Sequence, residues 1–210
     1  MRTPTSLETP TNPNSEILKT IRREHATMES LLGILEQEIA IFRSGERPDF
    51  EVLNGVLEYF RDFPPCCHEP KETLILDALK ASHPALASEI AAEVAQASCD
   101  QARARLDEMI DLLEQVIDDR EVPRDTVFAT ANEVAAQERR HIEVAETRLL
   151  AAAEQTLTLR DWDALDRRIM ETHNPLINPK RAAAFDDLAD WLDRWEREDQ
   201  AERAWLSQGR

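Results

Sequence analysis

Glycine is scarce in this chain, with 4 in 210 residues, and tyrosine occurs once. That leaves no glycine-rich phosphate loop. No run of about 18 apolar residues exists, so a membrane span is not expected. The N-terminus MRTPTSLETPTNPNS has no apolar core of the kind a secretory signal needs. Three cysteines (Cys66, Cys67 and Cys99) are too few for a disulfide framework, and point to a reducing cytoplasm. Positive charge is short as well. The net charge of −17 would repel a nucleic-acid backbone, and Arg22-Arg23, Arg139-Arg140 and Arg167-Arg168 are each flanked by acids. The serines lack a neighbouring His–Asp set, so nucleophilic hydrolase chemistry is not expected either. Neither an alternating strand pattern nor an internal repeat is present.

What remains is helix. Ala, Leu, Glu, Arg and Gln dominate. The length suits one domain, or one with an appendage. Residues 1–14, rich in Pro, Thr, Asn and Ser, read as a disordered tail. Ser15 is placed to cap a first helix whose Ile17, Ile21, Met28, Leu31, Leu32, Leu35, Ile39 and Phe42 recur at helical spacing. Ser44-Gly45 stops it and Pro48-Asp49 starts the next. The second helix meets Pro64, Pro65 and Pro70, which should kink or break it near His68. Ser82 is a plausible cap for a third helix running from about Pro84 to Asp119. A fourth runs from near Pro123 to about Ala153, and Thr158 caps a shorter one. HNPLINP (173–179) is a loop, and a last amphipathic helix carries Trp191, Trp195 and Trp205. The expected fold is all-α: an up-down-up-down four-helix bundle over 15–155, with a C-terminal helical extension, 156–210, packed on it.

Five histidines are available for chemistry. His68 and Glu72 are four apart, on one face of a helix and close enough to share a metal. His25 sits mid-way along an apolar stripe, where a satisfied, partly buried histidine is the simplest reading. His83 and His173 border turns and should lie at the surface. Glu138 stands three before His141, and Glu-x-x-His is the carboxylate motif of ferritin-like bundles. That architecture needs a second copy, but the other histidines are preceded by Arg22, Pro65, Lys80 and Met170. HEPKE is not a zincin motif, because it ends on Glu72. Glu146 is five residues from His141, about 140° around an α-helix, so spacing alone does not select it.

FPPCCHEPKE (63–72) and HIEVAETRLL (141–150), followed by LTLRDWDAL (157–165) and NPLINP (174–179), resemble the hemerythrin family in its bacterial HHE cation-binding branch. The resemblance spans roughly residues 16–195 and rests on the order and spacing of the motifs. It implies a non-haem di-iron site inside the bundle. His25 and His68 would bind one iron, Glu72 and Glu146 would bridge, and His141 would bind the other. It also exposes a gap. The family draws one or two histidines from the third helix, and none lies between His83 and His141 here. The expected position falls near Ala97 or Ser98, with Glu93, Cys99 or water as substitutes. Glu69 replaces the family's second histidine in the first motif. A non-haem iron centre holding one or two ions at an incomplete di-iron site is therefore expected, with O2, NO or peroxide as ligand; zinc or manganese would suit the same donors. A metal-free scaffold on the same fold is the alternative.

Overall fold

The computed structural model describes residues 15–97 and 100–172. The N-terminal tail, Ser98, Cys99, His173, the following loop and the tryptophan-bearing last helix lie outside the described residues. Among those described, the chain is helical and contains no strand. Two compact units divide it, 1–166 and 167–210.

Helix α1 (Glu16–Ser44) is the longest and buries Ile17, Ile21, Met28, Leu31, Leu32, Leu35 and Ile39 along one stripe. Ser15 precedes it but does not cap it. Its hydroxyl donates to Asp166 Oδ1 at 2.8 Å, and the same carboxylate oxygen accepts the Ile17 amide at 3.0 Å. A residue remote in sequence thus supplies the N-terminal acceptor that Ser15 was expected to supply. Gly45 ends α1 in the left-handed region (φ 98°), where a side chain would be strained.

Helix α2 (Phe50–Phe63) is capped by Asp49, which accepts from the Glu51 and Val52 amides at 3.0 and 3.1 Å. The prolines do not break the rod. It continues through a π-helical segment, Pro64–His68, directly into α3 (Glu69–Ser82). Prolines 64, 65 and 70 cannot donate to the ladder, and a widened turn absorbs the missing donors: the Glu69 amide reaches back to the Pro64 carbonyl. Ser82 also does not cap the next helix; its hydroxyl turns back to Ala78 O at 3.1 Å.

Helices α4 (Pro84–Ala97) and α5 (Asp100–Ile117) follow. Helix α6 (Arg124–Val144) passes through a second π-helical segment, Ala145–Leu150, into α7 (Ala151–Thr156). Helix α8 (Leu159–Thr172) begins at a reciprocal cap: Asp161 Oδ2 accepts from Thr158 N and Oγ1, and Thr158 Oγ1 accepts from the Asp161 amide. Within the first unit, α1 packs on α6 and on α2, α6 on α5 and α4, α2 on α5, and α3 on α4. Leu31, Leu32, Leu35, Leu53, Leu57, Ile75 and Trp162 are essentially inaccessible. Arg139 ties α6 to α1 across their exposed edge, gripping Glu36 with two nitrogens at 2.5 and 3.0 Å.

Candidate metal centre

Most of the buried polar and charged side chains in the described interior, His25, His68, Lys71, Glu72 and His141, gather where α1 meets the two π-helical rods. His25 is buried mid-way along α1. His68 ends the first π-helical segment and is fully inaccessible, and Glu72 follows it one turn into α3. The two histidine Nε2 atoms are 3.1 Å apart. Glu72 Oε1 lies 3.3 Å from His68 Nε2 and 3.6 Å from His25 Nε2. Among the described residues, these three donors form a group whose geometry could hold a metal ion.

The outer nitrogens decide what the inner ones offer. His25 Nδ1 lies 2.7 Å from Glu146 Oε1, and His68 Nδ1 lies 2.9 Å from Glu24 Oε2. An ionised carboxylate only accepts, so each imidazole presents Nδ1–H outward. Each neutral ring then turns its Nε2 lone pair inward. Two lone pairs and a carboxylate oxygen therefore face a common point. Glu72 Oε1 itself has no hydrogen bond of good angle. Such a cluster needs a cation at its centre, either a proton or a metal. Donors held about 2.1 Å from one ion, at tetrahedral or octahedral angles, lie about 3.0–3.4 Å from each other. Two of the observed spacings, 3.1 and 3.3 Å, fall in that range, and the third, 3.6 Å, lies just above it.

The electrostatics agree. Burial alone would lower the His68 pKa, but the hydrogen bond to Glu24 and the close approach of the Glu72 carboxylate outweigh it and push it up to about 9. Burial would raise Glu72, yet its contacts with His141, His25 and His68 hold it well below the usual carboxylate range. Glu24 is likewise held low against burial by His68 and Lys71. Glu146 is lowered chiefly by its hydrogen bond to His25. The pocket is built to keep carboxylates ionised and to hold positive charge between them.

His141 approaches from α6, with its Nε2 3.3 Å from the other Glu72 oxygen. Burial would lower its pKa, and Glu72 raises it instead. All five sequence-selected residues thus belong to one connected cluster. His25, His68 and Glu72 share a point, His141 touches Glu72 from its far oxygen, and Glu146 engages His25 through its outer nitrogen. The second π-helical segment begins at Ala145, one residue before Glu146. Its wider winding reduces the angular offset that an α-helix would impose between His141 and Glu146. His83 is exposed.

Three further residues, Glu24, Lys71 and Arg22, escaped the sequence reading. Glu24 is 12% exposed and bridges His68 to Lys71, whose Nζ lies 2.7 Å from Glu24 Oε1 and 2.5 Å from the Cys67 carbonyl. Lysine is almost never this buried unless paired. Arg22 holds Glu146 at 3.4 Å and Glu154 at 3.0 and 3.1 Å. Glu138, on α6, is pushed up by burial, partly offset by His141. With His141 and Ala97 it lines a cavity of about 210 Å3 that reaches Phe60 and Leu106. Ala97, where a third-helix histidine was expected, offers a methyl group to this cavity. Glu93 is no substitute ligand: it is paired at the surface with Arg148 at 2.6 and 2.7 Å.

No family model, curated protein or solved structure matches the chain.

Proposed function

We propose that this chain is a hemerythrin-like metal protein whose α1, α2–α3, α4–α5 and α6–α7 rods form an up-down four-helix bundle around non-haem iron. The observation that carries this reading is the inward convergence of His25 Nε2, His68 Nε2 and Glu72 Oε1, with both imidazoles oriented by outer carboxylates. Carboxylate–histidine pairs of this kind fix the tautomer and raise the basicity of metal-bound imidazole. Nitrogen and carboxylate donors suit iron, and also zinc and manganese. Iron is preferred on the resemblance of the two motifs.

His25, His68 and Glu72 would hold one ion, and His141 would add a donor through the same carboxylate's other oxygen. Glu146 acts here as the group that orients His25, although the family pattern makes it a bridge. With Ala97 on the third rod, a second ion would lack a protein ligand, so a single-ion centre is favoured over a di-iron one. Reduced iron with an open coordination position supplies binding of O2, NO or peroxide. The chain's own contribution is to aim lone pairs from buried positions and to hold protons on Nδ1 of both histidines. Anaerobic titration with ferrous iron, followed by exposure to O2, NO or peroxide, tests this. Uptake of about one iron per chain with a ligand-dependent visible spectrum is expected. Absence of iron uptake in the reduced, folded protein would reject it and leave a metal-free scaffold.

A further inference from the structure

Cys66 and Cys67 take no part in the centre, yet their Sγ atoms lie 2.6 Å apart. Both side chains are half-buried, so a small molecule from solvent can reach them. Consecutive side chains on an α-helix diverge by about 100° around the axis, which separates neighbouring thiols. Here the pair sits in the π-helical segment, between Pro64-Pro65 and Pro70. None of these prolines has an amide to donate, so the local ladder is already thinned and its peptide groups rotate at less cost. The Cys67 carbonyl accepts from Lys71 Nζ, Lys71 pairs with Glu24, and Glu24 holds His68 Nδ1.

We propose that Cys66 and Cys67 form an oxidative modification site that a peroxide closes into a vicinal disulfide, displacing His68 from its place between Glu24 and Glu72. One thiol gives up its proton, its thiolate sulfur attacks a peroxide oxygen, the O–O bond breaks, and a sulfenic acid and hydroxide result; the hydroxide takes up that proton to become water. The second thiol then attacks the sulfenic sulfur and releases a second water. In sum, two thiols and one hydrogen peroxide give one disulfide and two waters; the thiols lose two electrons and the peroxide gains them. Neighbours joined by a trans peptide have Cα atoms about 3.8 Å apart, below the usual disulfide range of about 4.4–6.8 Å. The ring therefore forces rotation of the peptide groups around Cys67. That moves the carbonyl away from Lys71 and the chain leading to His68 with it. A bridge under such constraint is readily reduced, as befits a reversible modification.

The test uses the full-length, metal-free, reduced chain, so it can be read whether or not the centre binds iron. Hydrogen peroxide should lower the intact mass by two hydrogens, with the bridge mapped to the peptide carrying Cys66 and Cys67. Dithiothreitol should restore it. Amide exchange across residues 64–72 should speed by about tenfold or more while the bridge is closed. Cys99→Ser should behave as wild type, whereas Cys66→Ser and Cys67→Ala should show neither the bridge nor the faster exchange. Persistence of both thiols, over-oxidation without a bridge, or pairing with Cys99 would overturn the modification site. A mapped bridge with unchanged exchange would overturn the displacement of His68.

Discussion

Glu24→Gln is the sharpest perturbation of the centre that leaves every inward donor in place. The carboxylate lies 2.9 Å from His68 Nδ1 and 2.7 Å from Lys71 Nζ, with the two side chains 12% and 3% exposed. The amide keeps the shape and one acceptor but loses the charge that holds Nδ1–H and favours positive charge on His68. Loss of an outer-shell carboxylate typically weakens metal binding about 10- to 100-fold, or about 1.4–2.7 kcal/mol. Stability should fall as well, because Lys71 is left with a neutral partner; a charged hydrogen bond lost at a buried site costs about 1–3 kcal/mol. The two effects separate in Glu24→Gln/Lys71→Met. Removing the stranded ammonium should recover most of the stability, and none of the metal affinity. Competition against a chromophoric chelator measures the affinity, and urea denaturation of the metal-free protein measures the stability. A folded Glu24→Gln protein with wild-type affinity would refute the claim that Glu24 orients a ligand. So would a double variant whose affinity returns together with its stability.

His68→Ala should abolish metal binding, while His83→Ala, in an exposed turn, should leave it unchanged; metal analysis after dialysis distinguishes them. The pH dependence follows from His68. Its folded pKa of about 9 lies above the unfolded 6.5, so in the metal-free protein it contributes stability that is fully present below pH 6.5 and lost as pH rises through 9. The stability gap between wild type and His68→Gln should therefore shrink between about pH 6 and pH 10, whereas a constant gap would contradict the charged network. Metal binding should release a proton at neutral pH, seen by calorimetry in buffers of different ionisation enthalpy. Asp166→Ala should cost about 0.5–2 kcal/mol by exposing the first amides of α1, and Ser15→Ala clearly less. Ala97→His should raise the iron content from about one to about two per chain if the cavity beside His141 is the vacant half of a di-iron site.

Much of the helical architecture follows from local pattern. The apolar stripe of α1, the Gly45 stop, the Asp49 cap and the Thr158–Asp161 cap are all nearest-neighbour chemistry. What failed was context. Three prolines read as a break because propensity cannot see that a π-helical turn accommodates them at positions 64–68. The cap of α1 comes from Asp166, far away in sequence. Of the site, the pairing of His68 with Glu72 was legible from i, i+4 spacing alone. By spacing His25 and His141 were isolated histidines that only the resemblance singled out, and tertiary packing places each near Glu72. Glu146 could not be selected by angle, because nothing near 145–150 signals a change of helical register. Glu24 and Lys71 were hidden for another reason. On an acidic, charge-rich chain, one more Glu and one more Lys look like solvated helix faces, and only burial distinguishes them.

The most direct measurement is the metal content of the folded protein after anaerobic reconstitution with ferrous iron, for wild type beside His25→Ala, His68→Ala and Glu72→Ala. A converging three-donor centre predicts about one tightly held iron per wild-type chain and loss of it in each variant. Wild-type protein that stays folded and takes up no metal, or variants that bind as wild type does, would contradict it.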